Sequence, residues 1–228
     1  ANAIESLADW ALLEGGLNDP FVAPVRAEIE TMLERGFNST DKGVCHTPFC
    51  GSYDDQAWWA LAWLKCYELT ADSKYLFRAV QIFEYLRHSS WDETRCGGGC
   101  WWSWKKEYKN SITNELFFSL AAQLHEGWER FLGTEPAPAA PFAFPRNFFL
   151  GWAQAAWSWI ESSDLRGANG LFVDGLDSHC RGNGDTLNNT WTYNQGVVLS
   201  GLGKLFEFTG DEKLLDTADS IVAAVRTH

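Results

Sequence analysis

The chain has 228 residues, 46% of them hydrophobic, and its 18 Lys and Arg against 30 Asp and Glu leave a net charge of −12. That is apolar material for one compact domain with a sizeable core, spanning residues 1–228. The negative balance repels phosphate backbones and anionic lipid surfaces, which argues against nucleic acid as a partner, and no apolar run approaches the roughly 18 residues of a membrane span.

The opening residues, "ANAIESLADW", lack the charged and apolar segments of a signal peptide, so a secreted form has already lost its leader. Residues 2–14 and 20–36 read as a first pair of helices. The next helix, 54–69, is apolar on every side from Ala57 through Leu64 and must be buried all round. Its successor, about 73–88, keeps Leu76, Ala79, Val80, Phe83 and Leu86 on one face and turns Lys74, Arg78 and Gln81 away. The pattern then repeats. A largely apolar helix over 113–131 precedes one over 145–161 with a stripe of Phe149, Trp152, Ala153, Ala156, Trp157 and Ile160, and "GTEPAPAAPFAFP" (133–145) connects them. An apolar, glycine-rich helix over 193–208 precedes one over about 212–226 that carries Leu215, Ala218, Ile221, Val222 and Val225 on one face.

An internal repeat supports this division. "ELTADSKYLFRA" (68–79) aligns without gaps with "EFTGDEKLLDTA" (207–218), each reading as a helix end, a Thr-x-Asp turn with a capping Asp72 or Asp211, and a new helix. Buried helices alternating with amphipathic ones, joined as hairpins, describe an all-α toroid of two concentric rings. A plain helical bundle predicts no such alternation.

The segments that lead into the inner helices, 43–56, 94–114 and about 174–195, fall at one end of this ring and hold most of the unusual chemistry. Their glycines let backbone approach a ligand, their indoles can stack on sugar rings, and their amides suit a polyhydroxylated substrate. Trp101, Trp102, Lys109, Asn110, Tyr193 and Asn194 are expected to line one cleft there. Trp63, Trp152, Trp157 and Trp159 read as packing.

Six cysteines suit an oxidising compartment, and "CHTPFC" (45–50) and "CGGGC" (96–100) match no zinc pattern. Cys96 and Cys180 lie in loops at the same end and are expected to form a bridge, with Cys45–Cys50 as a second. "NST" at Asn38 and "NNT" at Asn188 are glycosylation sequons, in keeping with secretion. The five histidines have no ligand spacing, so no metal or cofactor is expected.

"GSYDDQAWWALAW" (51–63) sets Asp54 and Asp55 at the start of an inner helix. Either could cap that helix. One cap suffices, however, and glycoside cleavage needs one ionised and one protonated carboxyl, about 5–5.5 Å apart in retaining enzymes. The helix N-terminus favours the anion, and apolar surroundings raise the other pKa.

"YDDQAWWALAWLKCYELTADSKYL", "WDETRCGGGCWWSWKKEYKNSITNELFFSLAAQLH", "DGLD" and "TWTYNQGVVLSGLGKLFEFTGD" together resemble glycoside hydrolase family 76, the α-1,6-mannanases, over nearly the whole chain. The resemblance implies an (α/α)6 barrel, of which eight of twelve helices are counted here as part of a longer protein. It also implies a retaining, endo-acting hydrolase of the α-1,6-mannan backbone of fungal cell walls. Asp54 would be the nucleophile and Asp55 the general acid/base, with Gln56, Trp58, Trp101, Trp102, Lys109, Asn110, Asn114, Tyr193 and Asn194 around the mannan. A fungal cell-wall transglycosidase using the same aspartates and a non-catalytic mannan-binding module are the alternatives. The expected protein is a secreted monomer. Cys66 and Cys100 stand where the family usually has a small and an aliphatic residue, which points to a lineage-specific disulfide arrangement.

Overall fold

The computed structural model describes residues 1–39, 51–134, 139–182 and 189–228. Among these are eight α-helices: α1 (Asn2–Leu13), α2 (Arg26–Ser39), α3 (Tyr53–Thr70), α4 (Ser73–Ser89), α5 (Ser111–Leu132), α6 (Phe148–Ser162), α7 (Thr192–Thr209) and α8 (Glu212–Thr227). Two short strands, β1 (Lys109–Asn110) and β2 (Gly175–Leu176), pair antiparallel.

The inner row is α1, α3, α5 and α7, each packed against the next, while α4 backs α3, α6 backs α5 and α8 backs α7. The repeat resolves into two matching corners. Thr70 and Thr209 each return their hydroxyl to a carbonyl four residues back and accept the N–H of Asp72 or Asp211. Those aspartates then cap α4 and α8 through the N–H of Lys74 and Lys213. Between Thr and Asp the chain takes a left-handed turn at Ala71 (φ 56°) or Gly210 (φ 66°), which ends the first helix.

Burial follows neighbours. Helix α5 has inner helices on both sides and outer helices behind, and nearly every residue from Ser111 to Ala122 is buried. Phe83 of α4 stacks on Phe117 at 5.0 Å and meets Phe149 of α6 edge-on, tying the rows together; each such side chain contributes about 1.5–3 kcal/mol when fully buried. Helix α7 departs from the expectation that every inner helix is enclosed. Asn194, Gln195, Val198, Gly201, Leu202 and Leu205 are buried, but Gly196 and Ser200 are exposed, because among the described elements α7 is packed mainly by α5, α8 and α6.

Two boundaries also differ. The second helix begins at Arg26 rather than 20, after a single 3-10 turn at Ala23–Val25, since Pro20 and Pro24 interrupt the preceding stretch. Helix α6 begins at Phe148, because Asn147 before it is left-handed (φ 63°).

Candidate active site

The N-terminus of α3 is docked against a loop. The Tyr53 N–H, one of the donors a helix cannot satisfy internally, bonds the Trp102 carbonyl at 2.7 Å, and the Trp102 N–H bonds the Tyr108 carbonyl at 2.7 Å. This brings the Trp102 indole over the first turn of α3, where its Nε1–H donates to Oδ2 of Asp54 at 3.1 Å. The other oxygen of Asp54 accepts the Asp55 N–H at 2.9 Å, while Asp55 accepts the Ser52 hydroxyl at 3.0 Å. Asp54 therefore meets part of the capping need of α3 and is also held from outside the helix.

The two carboxyls sit in unequal surroundings. Asp54 is half-buried and Asp55 exposed. Burial above all, and the neighbouring Asp55 carboxylate, push the Asp54 pKa above the ordinary carboxylate value, against the hydrogen bonds that favour its anion.

An aromatic wall extends from Trp102. Its ring meets Tyr108 edge-on at 6.4 Å, and the Tyr108 hydroxyl donates to Oδ2 of Asp174 at 2.6 Å. Oδ1 of Asp174 accepts the Trp191 indole N–H at 2.8 Å, and Trp191 stacks on Tyr193 with ring centroids 6.0 Å apart and planes 8° apart. Burial and then the Asp174 hydrogen bond push the Tyr108 hydroxyl well up. Gly175 is required at this point, since a Cβ there would lie 2.4 Å from the Tyr108 hydroxyl and 2.8 Å from Cα of Asn110. Trp102, Trp104, Trp191 and Tyr193 are all exposed, Trp102 to 42%.

Of the residues expected to line the site, Trp102 and Tyr193 lie on this wall; others have structural positions instead. Trp101 is only 4% exposed and donates to Oδ2 of Asp92 at 2.9 Å, so its indole faces the core and not a sugar. Lys109, 2% exposed, is a clamp. Its Nζ donates to the carbonyls of Asp92, Arg95 and Gly98 at 2.6, 2.7 and 2.6 Å and lies 4.7 Å from the Trp101 ring centre. Burial pulls its pKa down to about 8.

Asn110 is the cap of α5, accepting the Thr113 N–H. Asn114 binds both the N–H and the carbonyl of Cys100, fixing the glycine loop to α5. Asn194 is buried, with its amide on the Val173 carbonyl at 3.3 Å. Gln56 is buried in the first turn of α3, and Trp58 is partly buried against the core. Gly98 and Gly99 of "CGGGC" make room for the protein's own indole: a Cβ on Gly98 or Gly99 would lie 2.7 or 2.4 Å from the Trp159 ring, whose Nε1–H donates to the Cys96 carbonyl at 2.8 Å.

The Cys96–Cys180 bridge is present, spanning 84 residues and joining the two loops as expected; Arg95 adds a hydrogen bond to the Ser178 carbonyl at 3.0 Å. Cys66 and Cys100 are buried free thiols, in contrast to the disulfide arrangement expected for them. Cys45, Cys50 and Asn188 lie outside the described residues. Among the described residues no three His, Cys, Asp or Glu side chains converge on a metal position.

Asp174, Tyr108 and Trp191 were not singled out from the sequence. The available signal was an acid beside a glycine in "VDGLD", facing aromatic residues from two other segments.

The family model described as glycosyl hydrolase family 76 matches residues 43–130 and 143–228. Among curated proteins, the chain is similar to the mannan endo-1,6-alpha-mannosidase DCW1 of Candida glabrata, 32% identical over 70% of this chain and 34% of that protein. The Saccharomyces cerevisiae protein of the same name is 29% identical over the same shares. The chain thus spans about a third of the length of these relatives. Among solved structures it is similar to the GH76A alpha-1,6-mannanase from Salegentibacter sp. HEL1_6, with a TM-score of 0.72 and 21% identity over 98% of this chain and 58% of that one. An inactive variant of that enzyme with two consecutive aspartates changed to asparagine, solved with alpha-1,6-mannotriose, gives a TM-score of 0.70 at 21% identity over 97% and 60%. At this identity the likeness concerns the fold.

Proposed function

The chain belongs to glycosyl hydrolase family 76, and from that membership we propose a retaining, endo-acting hydrolase of the α-1,6-mannan backbone of fungal cell walls. The observation that carries this reading is the Asp54–Asp55 pair on the first turn of α3, with the Trp102 indole bonded to Asp54. Asp54 is the nucleophile: a carboxylate pinned by an indole N–H and a backbone N–H presents a fixed oxygen to the anomeric carbon. Asp55, exposed beside it, protonates the departing glycosidic oxygen and then takes a proton from the water that releases the glycosyl-enzyme. Burial raises the Asp54 pKa, and the Trp102 and Asp55 N–H donors together with the helix N-terminus oppose that shift and favour the anion that the first step needs. Trp102, Tyr193 and Trp191 offer ring faces for stacking on mannose units. The mannan named for the relatives and the mannotriose held by the aspartate variant support the substrate.

The reading extends to a secreted, monomeric, single-domain protein. A disulfide between its site loops and a glycosylation sequon at Asn38 support secretion, and one continuous apolar core joins the described helices.

The test compares Asp54→Asn and Asp55→Asn, both confirmed folded, on mannan and on an aryl mannoside. Asp54→Asn loses activity on both. Asp55→Asn loses mannan hydrolysis but turns over the aryl mannoside, and azide accelerates it by replacing the base-assisted water. Near-normal mannan hydrolysis by either variant rejects the catalytic pair. Transfer products in place of released oligosaccharides would identify a transglycosidase, and binding without turnover by the wild type would identify a mannan-binding module.

A further inference from the structure

The α5–α7 interface holds polar atoms that no described neighbour satisfies. Glu115 is 0% exposed and neither carboxyl oxygen has a hydrogen-bond partner; Oδ1 of Asn194, also fully buried, has none either. Buried polar atoms are nearly always paired, so two such groups on facing helices require an explanation.

Their relative placement follows from the contacts on either side. The Ser111 hydroxyl and the Asn194 amide both donate to the Val173 carbonyl, which sets the Asn194 side chain against the first turn of α5. Four residues along the same stripe of α5 is Glu115, and four further is Ser119, whose hydroxyl is 3.4 Å from that of Ser200 on α7. Glu115 thus lies on α5 between two α5–α7 contacts, one turn along from the Ser111 that shares the Val173 carbonyl with Asn194. From the site side, the Tyr193 phenol, already pushed up by burial, senses Asp174, Asp54 and Glu115.

Burial alone pushes the Glu115 carboxyl well up, which favours its protonated form. A protonated carboxyl has one O–H to donate, and Oδ1 of Asn194 is an acceptor without a donor. We propose that Glu115 is a positioning residue whose O–H donates to Asn194, after a side-chain rotation or across one enclosed water, and thereby fixes the turn of α7 that presents Trp191 and Tyr193. An apolar side chain would stabilise this interface better than an acid, which leaves alignment of the aromatic wall as the reason for an acid here.

For the ligand, this rests on the mannan reading, so the experiment carries a readout that needs none. The stacked Trp191–Tyr193 pair gives a near-ultraviolet circular dichroism signal that Trp191→Phe identifies. Glu115→Gln, which keeps a neutral donor, should retain that signal and bind α-1,6-mannotriose within about twofold of wild type, whereas Glu115→Leu should melt no lower yet lose the signal and bind about tenfold more weakly. A Glu115→Leu protein that retains the signal overturns the proposal. If wild type binds no mannotriose, the mannan reading fails and the dichroism still decides this one. If Glu115→Leu does not fold, infrared spectroscopy decides. The protonated-carboxyl band lost in Glu115→Gln should shift in Asn194→Leu, and an unshifted band, or none in wild type, overturns the proposal.

Discussion

The indole N–H of Trp102 and Oδ2 of Asp54 are 3.1 Å apart although 48 residues separate them in sequence, and this bond joins the glycine loop to the first turn of α3. It is donated to the oxygen that does not bond the Asp55 N–H, so both oxygens of Asp54 have a partner.

Trp102→Phe removes that donor and retains a stacking ring. The Asp54 anion loses a charge-assisted hydrogen bond, typically about 1.5–3 kcal/mol, so its pKa rises further. The acid limb of the kcat/KM profile on α-1,6-mannan should move to higher pH, with the plateau reduced about tenfold or more. A profile superimposable on wild type would show that the bond does not tune Asp54.

Asp54→Asn should abolish a pH-dependent loss of stability, although its single acceptor oxygen leaves one of the two N–H donors unpaired at every pH. Because the folded-state pKa of Asp54 is raised, the native state holds a proton that the unfolded chain releases. Stability therefore falls as pH rises from the unfolded value, about 3.9, through the raised folded one. Asparagine has no such loss. The Tm of the variant relative to wild type should therefore rise between about pH 3, where both states of the wild type are protonated, and about pH 7. A pH-independent difference would refute the linkage.

Lys109→Met tests the clamp. It leaves the carbonyls of Asp92, Arg95 and Gly98 without their shared donor, at about 1–3 kcal/mol for each one that water cannot reach. A loss of at least about 3 kcal/mol in denaturant unfolding is expected. A substrate-binding lysine would instead raise KM at unchanged stability, and that result would restore the expectation drawn from the sequence.

Removing the Cys96–Cys180 bridge by the double serine substitution should cost about 3–5 kcal/mol, as for a loop of this length. It should also weaken oligosaccharide binding, since the bridge ties the loop carrying Trp102 to the segment carrying Asp174. A measured loss under about 1 kcal/mol would show that the unfolded chain is not much restrained by it.

Features that depend on nearest neighbours and periodicity were legible in the order of the residues. The Thr-x-Asp repeat set two helix corners, the all-round apolar run from Ala57 to Leu64 marked α3 as an inner helix, and Asp54 and Asp55 stood out because two acids exceed what one cap requires. Which polar groups of the loops turn outward depended instead on packing between distant segments. Asn110, Asn114 and Lys109 had the composition of a sugar site, yet a loop of three glycines exposes so many backbone carbonyls and N–H groups that Asn114 and Lys109 are used to satisfy them, while Asn110 caps α5. Trp101 and Trp102 are adjacent, and one residue of advance along the backbone buries the first indole, bonded to Asp92, and leaves the second exposed, bonded to Asp54. Asp174 became legible only when folding brought Tyr108 and Trp191 to its two oxygens, since a carboxylate's role is set by the donors around it and these come from distant segments.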